Sequence, residues 1–485
     1  MAININLAEV QKRDQRVGAI INFHGSASDL INKAESRTFK EPKRSFSQCS
    51  DCSKGCAETL TTLVRDAATI IHAPIGCLNP ASYYNGGTTG ASVRGIAPQK
   101  VQVLSTNITV KETVYGGAQK LRETTREAYR RFNPKAIFIH SSCAAGIIGD
   151  DIESVADELQ DELGIPIIPV YCEGFKSKTW ASGFDAAFHG ILKRLVKPAE
   201  NKIPNLVNVF NFQGVPSFDR ILGALNLKAN YIVPLSSVED LQKLSSATCS
   251  THICETLGTY VAEALEQKFG VPQVKAPSPY GLVWTDEWIR AVAKETGRSA
   301  LAEKFIASEH ERIKDKLEEL RSQLKGVKIY VYAGDSYAHN MASLARDLGM
   351  EVVGITTLHH DQWTDNDSKE LNTLDKLVQN GGDIKHFSVC NRQPYILFKL
   401  LQQIKPDILI TRHNNIAPVG AKLGIPSLRT NDANVICFYD GLIVFGERIL
   451  AALNSRKFYK NLAEHVKLPY TEWWRDEEDP FYFDE

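Results

Sequence analysis

Short apolar runs and stretches of helical spacing alternate along most of the chain. The clearest pair brackets residues 141–154. Residues 135–140 (KAIFIH) are apolar with branched and aromatic side chains, the pattern of a buried parallel strand. Residues 152–163 have helical spacing and begin acidic, as a helix N-terminus favours. The segment between, SSCAAGIIGDDIES, therefore puts Cys143 at the carboxyl end of a strand and at the turn into a helix. Open α/β sheets hold their ligands there. A lone cysteine in that place is more often a small buried hydrophobe, but the other cysteines shift the balance.

The same alternation runs through the rest of the sequence. A helix over 57–68 and a strand over 69–72 lead to HAPIGC, whose Pro74 and Gly76 make a tight turn presenting Cys77. Then come a strand in VQVLST, a helix over 112–132, the 135–140 strand, the 152–163 helix and PIIPVYC, ending at Cys172. The pattern restarts at Leu206 (LVNVFNF), with helices over 217–225 and 254–269. It restarts again at Val327 after a charged helix over 302–324, with helices over 338–348 and 418–423. Strands alternating with helices mean βαβ units and parallel sheets. The expected architecture is α/β, with three doubly wound Rossmann-like domains at 56–205, 206–325 and 326–485 behind an N-terminal arm, 1–55. Residues 1–45 read as an extended arm. The acidic, aromatic tail EWWRDEEDPFYFDE reads as a packing segment.

Composition narrows the function classes. A formal net charge of −1 over 485 residues, with 23% charged positions, suggests neither nucleic acid nor an anionic membrane as principal partner. No apolar run is long enough to span a bilayer, and the expectation is a cytoplasmic protein. Ten cysteines in a reducing compartment read as buried thiols or metal ligands rather than disulfides. Five of them (Cys49, Cys52, Cys56, Cys77 and Cys143) fall in the first third. The run CSDCSKGC offers closely spaced thiolates that can converge on zinc or an iron–sulfur cluster, without a second CxxC nearby. No glycine loop of the nucleotide-binding kind follows any strand; AGDSYAHN after the Val327 strand has the place but one glycine.

Taken together, KGCAE, HAPIGC, SSCAAGIIGDDIES and VYCEGF resemble the nitrogenase component 1 family, specifically its alpha-type subunits, from about Cys56 to Leu450. The resemblance implies three α/β domains with metalloclusters between them. By motif, the ligands of a P-cluster-type iron–sulfur cluster shared with a sister subunit fall on Cys56, Cys77 and Cys143. The gap from Cys56 to Cys77 is shorter than the family's, so Cys52 is an alternative to Cys56. Three ligands on one chain are too few to enclose a large cluster, which implies that a partner supplies the rest. The cysteine tethering the active-site cofactor falls on Cys254, with Cys249 as its neighbour and competitor; a helix N-terminus favours a thiolate. Gly149 and Asn431 join Cys254 on the cofactor side.

The departures from the family pattern carry as much information. Asn431 stands about where nitrogenases place a histidine on the cofactor's far metal. Trp180 and Phe184 replace the glutamine and histidine beside cofactor and substrate. The basic loop after the second cysteine is shortened and lacks its arginine. The resemblance therefore implies a nitrogenase-cofactor-like cluster of the all-iron kind. His359, His360 and His413 follow predicted strands and are candidates for cluster or proton-transfer roles. His360, His413, Trp180 and Phe184 are the candidate catalytic set. The implied partners are a homologous beta-type subunit in an α2β2 assembly, an ATP-dependent iron protein and a small-molecule substrate. Within the family the likeness is to methylthio-alkane reductases, which cleave a carbon–sulfur bond. The alternatives are a scaffold subunit for cofactor biosynthesis and a true nitrogenase alpha subunit.

Overall fold

Parallel sheets follow directly from strands too apolar to expose either face. In the computed structural model all six residues of the strand Ala136–Ser141, and all six of Ala67–His72, are buried. The structure describes residues 2–42, 52–78, 90–97, 101–212, 214–365, 367–390, 394–412, 416–430, 434–468 and 470–482. They form two compact units: Met1–Arg16 with Asp51–Val274 and Val292–Arg298, and Val17–Ser50 with Lys275–Ala291 and Ser299–Glu485.

The first unit holds two parallel sheets. One has the order Val103–Ser105, Ala67–His72, Ala136–Ser141, Ile167–Val170. Its core joins Ala68, Ile70, Ile137 and Ile139 to Leu121, Ala128, Val155 and Leu159 from two helices. The helix Ile152–Leu163 buries Ile152, Val155, Ala156 and Leu159, one face at helical spacing. Its start is capped by the Asp151 carboxylate, which accepts from the Ser154 amide at 3.0 Å. The other sheet has the order Lys228–Ile232, Leu206–Phe210, Cys249–His252.

The second unit is built on a six-stranded sheet: Ser427–Arg429, Ile408–Thr411, Lys328–Ala333, Glu351–Thr357, Phe387–Cys390 and Asn22–Gly25. The first five strands are parallel, and Asn22–Gly25 adds antiparallel to Phe387–Cys390. A separate two-residue ladder pairs Ala19–Ile20 with His360–Asp361. The tail packs here too: Trp474 lies edge-on to Tyr395, and Phe481 stacks on His24 at 3.9 Å. Among the described residues no helix is long and apolar enough to cross a membrane.

Three expectations change in detail. The N-terminal stretch is not an extended arm: its backbone completes one sheet edge, and Arg13 is fully buried in the first unit. Composition hid this because both arginines involved look like surface residues. The helix expected over 57–68 runs instead from Ser53 to Thr61, which moves Cys52 to its N-cap. The helix expected over 112–132 is two helices, Val110–Tyr115 and Ala118–Phe132, separated by Gly116 at φ 89° and Gly117, whose amide donates to Asp150 Oδ1 at 2.8 Å.

Arg13 and Arg16 share one buried partner. Arg13 donates from Nε and Nη2 to the two oxygens of Asp185 at 2.8 and 2.7 Å, and Arg16 Nη2 donates to Oδ2 at 2.5 Å. Arg13 Nη2 also donates to the Thr256 carbonyl at 2.5 Å. Removing one partner of such a group strands a buried charge, at a cost of about 3–5 kcal/mol. Asp185→Ala is therefore expected to lower the melting temperature of the purified chain by several degrees. A change of under one degree in differential scanning fluorimetry would contradict this account.

Candidate functional site

The candidate site of the first unit is assembled from turns, each fixed by a different local device. Ser142 caps the short helix Cys143–Ile148 by accepting from the Ala145 amide at 3.2 Å, so Cys143 occupies the first helical position. Gly149 ends that helix in the left-handed region at φ 77°, a conformation that suits glycine. The reversal delivers Asp150 to His72: Nε2 and Oδ2 are 3.0 Å apart, and His72 Nδ1 lies 3.1 Å from Thr106 Oγ1. His72 precedes the turn Ile75–Cys77, so Asp150 ties the Cys143 turn to the one that carries Cys77. Burial keeps the His72 pKa below its usual value, partly offset by Asp150.

Cys52 reaches the same place from a third direction. It caps the helix Ser53–Thr61, and its Sγ lies 2.8 Å from where a Cβ on Gly174 would stand; Cys143 Sγ lies 3.8 Å from that point. Gly174 thus lets the Cys52 sulfur pack against its backbone, where any β-carbon would clash with it. Burial pushes the Cys52 thiol up, while the amides of Lys54 and Gly55 pull it down. Burial also raises Cys77; Lys54 opposes this, and Cys143 and Glu58 add to it. Lys54 itself is buried and paired with Glu58. Cys56 lies one turn beyond Cys52 and is half-buried, and Cys49 lies outside the described residues. Among the described residues, no three cysteine sulfurs lie within 4.8 Å of one another, the reach of a single ion. Thiols spaced more widely than one ion can reach suit a polynuclear cluster, whose metal atoms are themselves spread out.

Two other cysteines are built to stay protonated. Cys172 is buried, donates its thiol to the Ser141 carbonyl at 3.4 Å, and is pushed far up by burial. Cys249 lies in the strand Cys249–His252 and is pushed up to about 12. Cys254, by contrast, is the N-cap of the helix Glu255–Phe269, where the helix dipole favours a thiolate. Arg13 joins this helix start to that of Ser182–Arg194, since it bonds both Thr256 and Asp185. Next to Asp185, Trp180 stands edge-on to Phe184 at 5.9 Å, and Phe184 meets Phe212 at 5.9 Å. The result is an aromatic wall beside the start of one of two linked helices.

Comparison with known proteins agrees with this geometry. The family model for nitrogenase component 1 type oxidoreductases matches residues 52–454. The chain belongs to that family. It is 27% identical over 421 residues to the nitrogenase iron–molybdenum cofactor biosynthesis protein NifE of Methanococcus maripaludis, covering 83% of each chain. It is 28% identical over 382 residues to the nitrogenase molybdenum–iron protein alpha chain of Methanosarcina barkeri, covering 76% of this chain and 66% of that one. The fold matches solved nitrogenase Cp1 at pH 5 with a TM-score of 0.70 at 20% identity, over 95% of this chain and all of that one.

For this nitrogenase component 1 chain, the remaining candidates sort by unit. His413 and Asn431 lie outside the described residues. His359 and His360 are buried in the second unit, and His360 Nδ1 is 2.9 Å from Asp335 Oδ1. Arg13 and Gly183 lie outside the motifs, and His72 and Gly174 lie within HAPIGC and VYCEGF without a role of their own being assigned there. A Cβ on Gly183 would stand 1.8 Å from the Ser53 carbonyl oxygen, so this glycine lets its helix press against the start of the Cys52 helix. Ile75, Ile147 and Phe175, neighbours in sequence of Cys77, Cys143 and Gly174, are 58, 76 and 56% exposed.

His140 offers a measurable consequence. It is the last residue but one of the strand that leads into Ser142 and Cys143, is fully buried, and has Nε2 2.8 Å from Thr61 Oγ1. Nδ1 finds no hydrogen-bond partner among the described residues. Burial, with a smaller push from Lys54, holds its pKa down at about 3 against an ordinary 6.5. The folded value lies below the unfolded one, so the unfolded chain takes up the proton first. The stabilising contribution is complete above pH 6.5 and is lost as the pH falls towards 3. The sensitivity approaches about 1.4 kcal/mol per pH unit inside that window. His140→Gln is expected to flatten the fall in melting temperature between pH 6.5 and 5; equal slopes in both proteins would contradict the assignment.

Proposed function

We propose that this chain is the cluster-bearing alpha-type subunit of a nitrogenase-like reductase. The observation that carries the reading is the convergence of the Cys52 and Cys143 sulfurs beside Gly174, with Cys77 in electrostatic reach of Cys143. In this reading Cys52 or Cys56, with Cys77 and Cys143, holds half of an iron–sulfur cluster of the P-cluster type. Cys52 is the better placed, because its sulfur adjoins Gly174. A homologous beta-type subunit seats on the apolar rim of Ile75, Ile147 and Phe175 and supplies the other ligands. Such a cluster, when bound, supplies one-electron relay.

Cys254 holds the second, cofactor-like cluster of the all-iron kind, and an ATP-dependent iron protein provides the electrons. The chain's own contribution is to present thiolates from rigid turns and to close the substrate side with Trp180 and Phe184. A wall of apolar rings suits an organic sulfide better than a small polar ligand, so methylthio-alkane carbon–sulfur cleavage is the favoured reaction. A second reading, a part in building a nitrogenase cofactor, is favoured by the likeness to NifE.

Anaerobic co-purification with the beta-type partner separates these readings. The reductase predicts iron without molybdenum or vanadium, and ATP- and iron-protein-dependent release of hydrocarbon and thiol from a methylthio-alkane. Iron clusters without turnover, but with transfer to an apo-nitrogenase, would decide for cofactor assembly. Iron-free intact protein would remove both. Cys52→Ser and Cys143→Ser are each expected to abolish the relay-cluster EPR signal, and Cys56→Ser to retain it; the reverse pattern for Cys52 and Cys56 would transfer the ligand role to Cys56.

A further inference from the structure

The second unit holds a group of histidine and carboxylate side chains of metal-ligating type, none of them a cysteine. Asp335 opens the helix Asp335–Asp347, and His339 lies one turn along it. His360 comes from the short ladder that pairs with Ala19–Ile20. One ligand atom from each of the three lies within 4.8 Å of the others, and all three residues are buried. We propose that Asp335, His339 and His360 bind a divalent first-row transition ion of the zinc type.

The orientation of each group supports a site. His339 Nδ1 is 2.8 Å from Thr373 Oγ1, which settles which ring nitrogen faces inward. Its Nε2 has no hydrogen-bond partner among the described residues, although the side chain is only 1% exposed. It lies 3.7 Å from Asp335 Oδ1. Leaving a polar atom buried and unbonded is unfavourable, and an imidazole whose far nitrogen is anchored by a hydrogen bond is the usual arrangement of a metal ligand. The Asp361 amide donates to Asp335 Oδ2 at 3.0 Å and aims Oδ1 at the histidines. Without an ion, Oδ1 pairs with His360 Nδ1 at 2.9 Å. An ion would take the place of that contact.

The donor set of two imidazoles and one carboxylate selects zinc or ferrous iron over magnesium or calcium, which prefer all-oxygen sites. A second set, Asp335, His359 and Asp361, shares the same carboxylate and offers further ligands. A bound ion would cross-link the start of the Asp335–Asp347 helix to the ladder at His360–Asp361.

The test is a cobalt titration of the purified, metal-stripped full chain under argon. Cobalt on nitrogen and oxygen donors gives visible d–d bands, whereas cobalt on cysteine adds thiolate charge transfer, so the two kinds of site are told apart by spectrum. The expected result is a nitrogen/oxygen-type component that persists in Cys143→Ser and disappears in His339→Ala. Thr373→Val keeps all three proposed ligands but removes the hydrogen bond that orients His339, and is expected to weaken cobalt binding by roughly tenfold or more, which keeps the test valid if His339→Ala does not fold. Absence of the nitrogen/oxygen component in the native chain, or unchanged affinity in Thr373→Val, would overturn the site.

Discussion

Close approach of backbones is the constraint on which the cysteine site depends. At Gly183 the helix Ser182–Arg194 meets the start of the helix Ser53–Thr61 so closely that a β-carbon would overlap the Ser53 carbonyl oxygen. That contact sets where Cys52 stands. Gly174 then lets the Cys52 sulfur pack directly on its backbone, where a β-carbon would clash with it, and leaves the Cys143 sulfur close by. Two missing methyl groups thus allow segments distant in sequence to bring these two thiols together.

Burial raises the thiols of Cys52, Cys77, Cys172 and Cys249 alike, and what differs is the neighbours that oppose it. Cys172 and Cys249 sit inside strand-edge packing, where burial raises the thiol and nothing nearby favours its anion enough to compensate. Cys52 meets helix-start amides, and Cys77 feels the buried Lys54. Cys254 stands at the start of a long helix. Thiolate chemistry is governed by such surroundings rather than by the residue type. The turns that present Cys143 and Cys77 are fixed by particular devices: a serine cap at Ser142, a left-handed glycine at Gly149, and the Asp150–His72 link.

Each unit also buries a carboxylate and answers it in a different way. Asp185 is matched by two arginines with well-formed hydrogen bonds, a closed arrangement that ties the N-terminal segment to two helices. Asp335 faces histidines, one of which keeps a nitrogen unbonded. Satisfied buried charge serves packing, and incompletely satisfied buried charge is where further chemistry is found.

The α/β class, the parallel strands and the principal helices were legible in the chain, because a strand buried on both faces must be apolar throughout and a packed helix must repeat every 3.6 residues. The family, too, could be read from KGCAE, HAPIGC, SSCAAGIIGDDIES and CEGF, since those motifs are local in sequence. What only the tertiary structure decided is contact between distant segments. Arg13 and Asp185 are 172 residues apart, and His72 and Asp150 are 78 apart. The proximity of Cys52 to Cys143 through Gly174, and the fate of the N-terminal stretch as a sheet edge, are of the same kind. Periodicity reports what one element hides from water, whereas which elements share the hidden space depends on shape and on missing atoms, and a glycine looks the same in sequence whether it ends a helix or lets a distant thiol pack against its backbone.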